Sequence, residues 1–164
     1  MRIVEIAAAG MLAAGLATAA HAAPAAVNVT IGPELHAKAE KTLGLREVNE
    51  LASDLQRAVT RQLTRTGAYD GARIDLVLVD AKPSRPTFKQ LSDKPGLSFQ
   101  SISLGGAEFT GRVVTADGHE IPVAYRYYED DLRNSYANTT WSDAQVSIDR
   151  FAHSLARGRA LASR

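Results

Sequence analysis

The chain has 164 residues, no cysteine and a formal net charge of +1 at neutral pH. This length suits one domain that buries a core without cross-links. The missing thiols exclude disulfides, cysteine nucleophiles, thiolate metal sites and a thioether lipid anchor. Because charges of both signs are interspersed along the chain, its charge gives no reason to expect a nucleic acid or an acidic membrane as a partner.

The first 22 residues have the layout of a secretory signal peptide. Arg2 precedes an apolar stretch from Ile6 to Ala19, and Ala20-His21-Ala22 has the small-x-small pattern of a cleavage site. We expect cleavage after Ala22 and a periplasmic or secreted protein, with residues 23–164 forming a single α+β domain. No later stretch has the roughly 20 apolar residues that a transmembrane helix needs, so no transmembrane span is expected.

The next part of the chain predicts a strand, a helix and a second strand. Val27 to Ile31 alternates apolar and polar residues, as a half-buried strand does, and Gly32-Pro33 ends it. Apolar residues recur at helical spacing from Arg46 to Thr66, and Gly67 follows where a helix commonly stops. Ala72 to Ala81 is rich in branched aliphatic residues, which predicts a central strand buried on both faces.

Two strand-like runs around Ala116-Asp117-Gly118 predict a β-hairpin. A three-residue loop with Gly118 in the left-handed conformation collects the apolar side chains on one face, whereas a two-residue turn mixes them with polar ones. The predicted pairs are Val113 with Ile121, Gly111 with Val123 and Phe109 with Tyr125. A further strand is predicted from Ser98 to Leu104, with Gly105-Gly106 as a turn or bulge before the hairpin.

The end of the chain predicts an amphipathic helix that starts after Trp141. With Ser142 as the N-cap, Gln145 completes a capping box, and Trp141 folds over Val146 as a hydrophobic staple. An apolar stripe follows at Ala144, Ile148, Phe151, Ala152 and Leu155.

The same helix carries Asp149 and His153, four residues apart on its polar face. We interpret them as a surface pair that supports the helix. The alternative is a catalytic or ligand-binding dyad.

Other candidate chemistry lacks the spacing that it needs. His36, His119 and His153 match no zinc motif, and a site assembled from distant residues is the remaining alternative. The run from Glu129 to Asn134 lacks the glycine of a calcium loop, and Gly96 to Gln100 lacks the second glycine of a nucleophile elbow. We therefore predict no catalytic residues, no metal and no cofactor.

The segment Lys82 to Leu97, "KPSRPTFKQLSDKPGL", is the clearest candidate binding surface. It contains three prolines and four cations and is longer than most connections in compact domains. Thr87 to Gln90 predicts a single capped helical turn. Because prolines reduce the entropy lost on binding, we predict contact with a partner through Lys82, Arg85, Phe88 and Lys89. The competing interpretation is that the loop only packs over a sheet edge or an end of the core.

Together these elements predict a two-layer α+β sandwich. The expected sheet is mixed and mostly antiparallel, has about four or five strands and carries two main helices on one face. The helix from Arg46 to Thr66 is long enough to connect the first two strands as parallel neighbours.

Three segments, "DAKPSRPTF", "SISLGGAEFTG" and "TTWSDAQVSIDRFAHSLA", resemble an uncharacterised family of small secreted proteins from Gram-negative bacteria. The element order also resembles the small periplasmic lipoproteins that accompany ABC-type transporters. That likeness implies a non-catalytic role in the cell envelope, although this chain lacks the cysteine that such proteins lipidate.

Two hypotheses for function follow. The first is a non-catalytic binding or accessory module of the envelope that contacts an envelope protein through residues 82–97. An inhibitor of another secreted protein is a variant of this hypothesis. The alternative is a small secreted hydrolase whose histidine, carboxylate and serine meet only in the folded chain, with His119 or His153 as the base.

Overall fold

The structure is a computed structural model that describes residues 23–135 and 138–159. The predicted signal peptide and its cleavage site lie outside these ranges. The elements in chain order are β1 (Ala26–Ile31), α1 (Pro33–Lys38), a π-helical turn (Ala39–Leu43), α2 (Leu45–Thr66), β2 (Arg73–Lys82), α3 (Phe88–Asp93), β3 (Gly106–Val114), β4 (Glu120–Tyr128) and α4 (Ser142–Ala156).

The four strands form one open mixed sheet in the order β1-β2-β3-β4. The first pair is parallel, and the other two pairs are antiparallel. This confirms the predicted α+β class, the central position of β2 and the parallel pairing of the first two strands. Helix α2 lies in the connection between those strands, since parallel neighbours need a long crossover.

Alternate side chains of the sheet supply one side of the core. Ile74, Leu76 and Leu78 of β2 are buried, whereas Asp75 and Val77 between them are only partly buried. The prediction that this strand is buried on both faces is therefore wrong for the second face, where charged and polar neighbours keep contact with solvent.

Three aromatic rings join the sheet to α4. The ring of Phe151 lies 5.2 Å from that of Phe109 and 5.8 Å from that of Tyr125. The buried side chains of the sheet, α2 and α4 belong to a single hydrophobic cluster. The domain therefore has one continuous core among its described residues.

The hairpin between β3 and β4 has the predicted three-residue loop. All three predicted pairs are present, and Gly118 has a φ of 88°. Thr115 donates its N–H to the His119 carbonyl at 2.9 Å and closes the loop. The apolar face therefore set the register correctly.

Two predictions along the chain need correction. Ser98 to Leu104 is not a strand but a turn at residues 99–100 followed by irregular backbone, because serine hydroxyls and carbonyls bind the backbone N–H groups that a strand would use. Residues 33–43, for which the sequence predicts no element, are helical, and Pro33 begins α1 in the first helical turn.

The start of α4 also differs from its prediction. The helix begins at Ser142, but Trp141 occupies the N-cap position and no side chain caps the helix. The Ser142 hydroxyl instead accepts a hydrogen bond from the Thr139 N–H at 2.8 Å. The predicted capping box is therefore wrong, and the staple that depended on its position does not apply.

None of the helices in the described ranges combines the length and apolar character that crossing a membrane requires.

Candidate partner-binding site

Ser84 fixes the start of the long connection between β2 and β3. This buried residue donates its N–H to the Thr140 carbonyl at 2.7 Å and accepts the Ser103 N–H at 2.9 Å. Its hydroxyl accepts the Asp143 N–H at 3.1 Å. Both ends of the connection are thereby attached to the start of α4.

Helix α3 begins with a capping box, at the position where the sequence predicts a capped helical turn. The Thr87 hydroxyl accepts the Gln90 N–H at 3.2 Å, and the Gln90 side chain accepts the Thr87 N–H at 3.0 Å. This confirms the predicted helical turn. The two reciprocal bonds satisfy backbone donors that a short helix otherwise leaves open.

A buried carboxylate of α2 accepts a hydrogen bond from the first residue of the same helical turn. Glu47 accepts the Phe88 N–H at 2.9 Å through one oxygen and the Trp141 indole N–H at 3.3 Å through the other. The side chain is only 9% exposed. Glu47 thus connects α2, the first residue of α3 and the residue before α4.

The tip of the connection is apolar and exposed. Phe88, Leu97, Phe99 and Ile102, which we call the loop patch, are four of the five large exposed apolar residues in the described chain; the fifth is Leu132. Phe88 is 60% exposed, and its ring meets that of Phe99 edge to face at 5.7 Å. Such a concentration of apolar surface is typical of an interaction site.

A groove of about 390 Å³ adjoins the loop patch. Leu97 and Ile102 line it together with Pro83, Pro86 and the stem of Lys94. Two prolines and residues of the α3 region therefore line the groove beside the exposed apolar side chains.

The structure brings two of the four predicted contact residues together. Arg85 donates to the Phe99 carbonyl at 2.5 Å, so it lies beside the aromatic pair that includes Phe88. Lys89 lies at the edge of the patch and forms an ion pair with Asp93 at 2.9 Å. Lys82 is turned toward the sheet, with its ammonium 4.8 Å from the centre of the Tyr128 ring.

Sequence reasoning missed Leu97, Phe99 and Ile102. Assigning Ser98 to Leu104 to a strand implied that the apolar side chains there were half buried. The available signal was the spacing of Leu97, Phe99 and Ile102, which follows neither a strand nor a helix and is interrupted by serines.

Charge accompanies the apolar surface. Residues 82–104 contain four cations and a single carboxylate, Asp93, although the whole chain has a net charge of only +1. Since Lys82 is turned toward the sheet, Arg85, Lys89 and Lys94 are the cations of this segment that remain near the loop patch.

A separate polar cluster lies at the end of β2. Asp80 accepts hydrogen bonds from the Lys38 ammonium and the Tyr128 hydroxyl, both at 2.8 Å. Burial alone would raise the pKa of the Asp80 carboxyl, but these two bonds outweigh it and hold the pKa below its ordinary value. Burial, followed by the bond to Asp80, raises the pKa of the Tyr128 hydroxyl.

The lowered pKa of Asp80 predicts a loss of stability in acid. A carboxyl whose folded pKa is depressed stabilises the fold above its unfolded pKa, and this contribution disappears as the pH falls through the folded value. We expect Asp80→Asn to reduce the free energy of unfolding at neutral pH by less than about 1 kcal/mol, because the group is partly exposed. Urea unfolding of both proteins between about pH 7 and pH 2 should show the difference shrinking toward low pH. A difference that is constant with pH would contradict this assignment.

The histidines are separate from one another. His36 lies 3.9 Å from Glu40, and His119 lies 3.6 Å from Asp117, all on exposed side chains. His153 and Asp149 are both exposed, but His153 Nδ1 lies 3.1 Å from the Gln62 side-chain nitrogen of α2. In residues 23–135 and 138–159 no histidine makes a hydrogen bond with a serine or threonine hydroxyl, and no three potential ligands could hold a metal ion.

Comparison of the chain with protein-family models, curated proteins and solved structures finds no match.

Proposed function

We propose that this protein is a non-catalytic binding module that contacts a protein partner through the loop patch. The observation that carries this proposal is the concentration of exposed apolar side chains at Phe88, Leu97, Phe99 and Ile102, on a connection whose base is buried and hydrogen-bonded. Exposed aromatic residues of this kind are common energetic centres of protein interfaces.

The rigidity of the base supports the proposal. Ser84, Thr87 and Glu47 fix the path of the connection before any partner is present. A surface that is already ordered loses less conformational entropy on binding, so more of its apolar contact contributes to affinity.

The competing interpretation is that the connection only packs over the core. It explains why the first residues of the connection are buried, but it does not explain why the apolar side chains of the loop patch are exposed. Pro86 and Thr87 are buried, whereas Phe88 and Phe99 are more than half exposed. Packing alone gives no reason for two aromatic rings to remain in solvent.

The place of action proposed for the module is the cell envelope. This part rests on the secretory pattern of residues 1–22 and on the resemblance to small secreted proteins of Gram-negative bacteria. A partner in the envelope follows from that location, and an acidic rim on the partner follows from the cations of residues 82–104.

The test compares loss of the aromatic pair with loss of one exposed apolar side chain elsewhere. Phe88→Ser combined with Phe99→Ser removes the aromatic pair, and Leu132→Ser is the control because Leu132 is 59% exposed outside the loop patch. We expect a cross-linked partner from the envelope fraction to be retained by the wild type and the control. Its affinity for the double variant should fall about tenfold or more, as for other aromatic interface centres.

Circular dichroism should show that both variants are folded. Capture of the same partner, with the same affinity, by the double variant would contradict a role for the loop patch. Failure of all three proteins to retain any partner would contradict the binding module itself.

A further inference from the structure

The backbone of β4 has one side bound to β3 and one side directed outward. The Thr115 N–H binds the His119 carbonyl at one end of the ladder, and the Glu129 N–H binds the Gly105 carbonyl at the other. The register between these ends is unbroken. Since bonded and non-bonded positions alternate in an antiparallel ladder, the even-numbered residues of β4 direct their N–H groups away from β3.

Those outward positions are Glu120, Pro122, Ala124, Arg126 and Tyr128. Pro122 has no N–H to offer, which agrees with this assignment because proline in a strand faces the open edge. No residue in the described ranges accepts a hydrogen bond from the outward N–H groups of the other four, and β3 is the only strand beside β4 there. An edge in this state can pair with a further strand.

A groove lies between Tyr125 of β4 and α4. It has a volume of about 560 Å³ and is lined by Tyr125, Val146, Arg150 and Arg157, among others. The Arg150 guanidinium lies 4.2 Å from the centre of the Tyr127 ring. The Tyr125 ring and Val146 therefore provide apolar contact for alternate side chains of an added strand, next to two cations.

The charges around the edge favour an acidic occupant. Arg150 and Arg157 lie along the groove, where Asp149 is the one carboxylate in its lining. Arg126 lies on the opposite face of β4. Its side chain is 71% exposed, and its Nε lies 3.8 Å from a carboxylate oxygen of Glu108, the ion partner that it has in the fold. Cations thus border the edge on both faces, at the positions that alternate side chains of an added strand would reach.

The same charges disfavour pairing of β4 with a second copy of itself. A symmetric antiparallel pair that uses the outward positions brings Arg126 opposite, or diagonal to, Arg126 of the other copy, and like charges at this distance are destabilising. Pro122 also shortens the stretch that two copies could share. The edge therefore suits a different chain with carboxylates.

We propose that the edge of β4 from Ala124 to Tyr128 binds an extended acidic segment of a partner protein by strand addition. The segment's backbone bonds to the outward N–H groups, and its alternate side chains contact the Tyr125 groove or Arg126. This site is separate from the loop patch and goes beyond the function proposed for it.

The test uses a short capped peptide that alternates glutamate and valine, with a lysine–valine peptide of the same length as its control. In amide exchange, we expect Ala124, Arg126 and Tyr128 to exchange faster than Val123, Tyr125 and Tyr127 in the free protein. Addition of the acidic peptide should slow exchange at those three outward positions, whereas the basic peptide should leave it unchanged.

Two variants locate the binding. Ala124→Pro removes an outward donor without removing a bond to β3, and Ala124→Val keeps the donor as its control. Arg150→Glu reverses a groove charge and leaves the backbone donors of β4 in place. We expect Ala124→Pro and Arg150→Glu each to weaken the acidic peptide about tenfold or more, and Phe88→Ser to leave its affinity unchanged.

Three outcomes would overturn the proposal: no protection by the acidic peptide, equal protection by the basic one, or full affinity in a folded Arg150→Glu protein. Because Phe88 takes no part in this site, a failure here is distinguishable from a failure of the loop patch.

Discussion

Replacing Gly111 with alanine is expected to destabilise the fold severely. Gly111 lies in β3 opposite Leu76 of β2, and a Cβ at this position would stand 2.1 Å from the Asp75 carbonyl oxygen and 2.9 Å from the Leu76 Cα. Both neighbours are backbone atoms of the central strand, so they cannot move aside without opening the ladder. Overpacking and the positive φ of 157° together predict a loss of about 2–6 kcal/mol, a large part of a typical domain's stability.

The control for this substitution is Gly118→Ala in the hairpin loop. Gly118 also has a positive φ, 88°, but an added Cβ would meet no atom within 4 Å. It should cost only the conformational penalty of about 1–2 kcal/mol. Urea unfolding of the two variants measures the difference, and equal losses would show that crowding against β2 is not the cause at Gly111.

Replacing Glu47 with alanine should lower the free energy of unfolding and should also weaken the attachment of the loop patch to α2. The substitution leaves the Trp141 indole N–H, which is buried, and the Phe88 N–H, which is partly buried, without their acceptor. An unsatisfied buried donor costs about 1–3 kcal/mol. Because Phe88 begins α3, the helical turn that carries this residue of the loop patch should also lose its attachment to α2.

Glu50→Ala is the matched control in the same helix. Glu50 is exposed, and its oxygen lies 3.9 Å from Arg46, a pair that contributes little. Tryptophan fluorescence should shift in Glu47→Ala alone, since Trp141 is the only tryptophan and its indole contacts the substituted side chain. An unchanged spectrum and unchanged stability would exclude Glu47 as the link between these elements.

The elements that were predictable are those with a regular apolar pattern. The periodicity of α2 and the terminal Gly67 located that helix to within one residue, and the pairing of Phe109 with Tyr125 followed from collecting apolar side chains on one face. In each case the signal is local, because neighbours within one helix or one hairpin decide the outcome.

The errors arise where contacts between distant residues decide the structure. Ser142 and Gln145 match a capping box locally, and Trp141 before them matches a staple, but Glu47, 94 positions before Trp141, supplies an acceptor for the indole. The backbone path from Ser98 to Leu104 also depends on residues outside the segment. Ser84 and Arg85 both form hydrogen bonds with backbone groups within it. Such partners are not visible in a window of neighbouring residues.

The hydrogen bond from Arg85 to the backbone of residue 99 affects which positions of the connection can change in sequence without altering its path. Arg85 contacts the backbone carbonyl of Phe99, not its ring, and Ser84 likewise holds the backbone N–H of Ser103. The path of the connection is therefore largely independent of which side chains stand at 97, 99 and 102. Substitutions at these three positions can therefore change the exposed apolar surface while the backbone path beneath it stays the same, so the side chains of the proposed binding surface can vary without a change of fold.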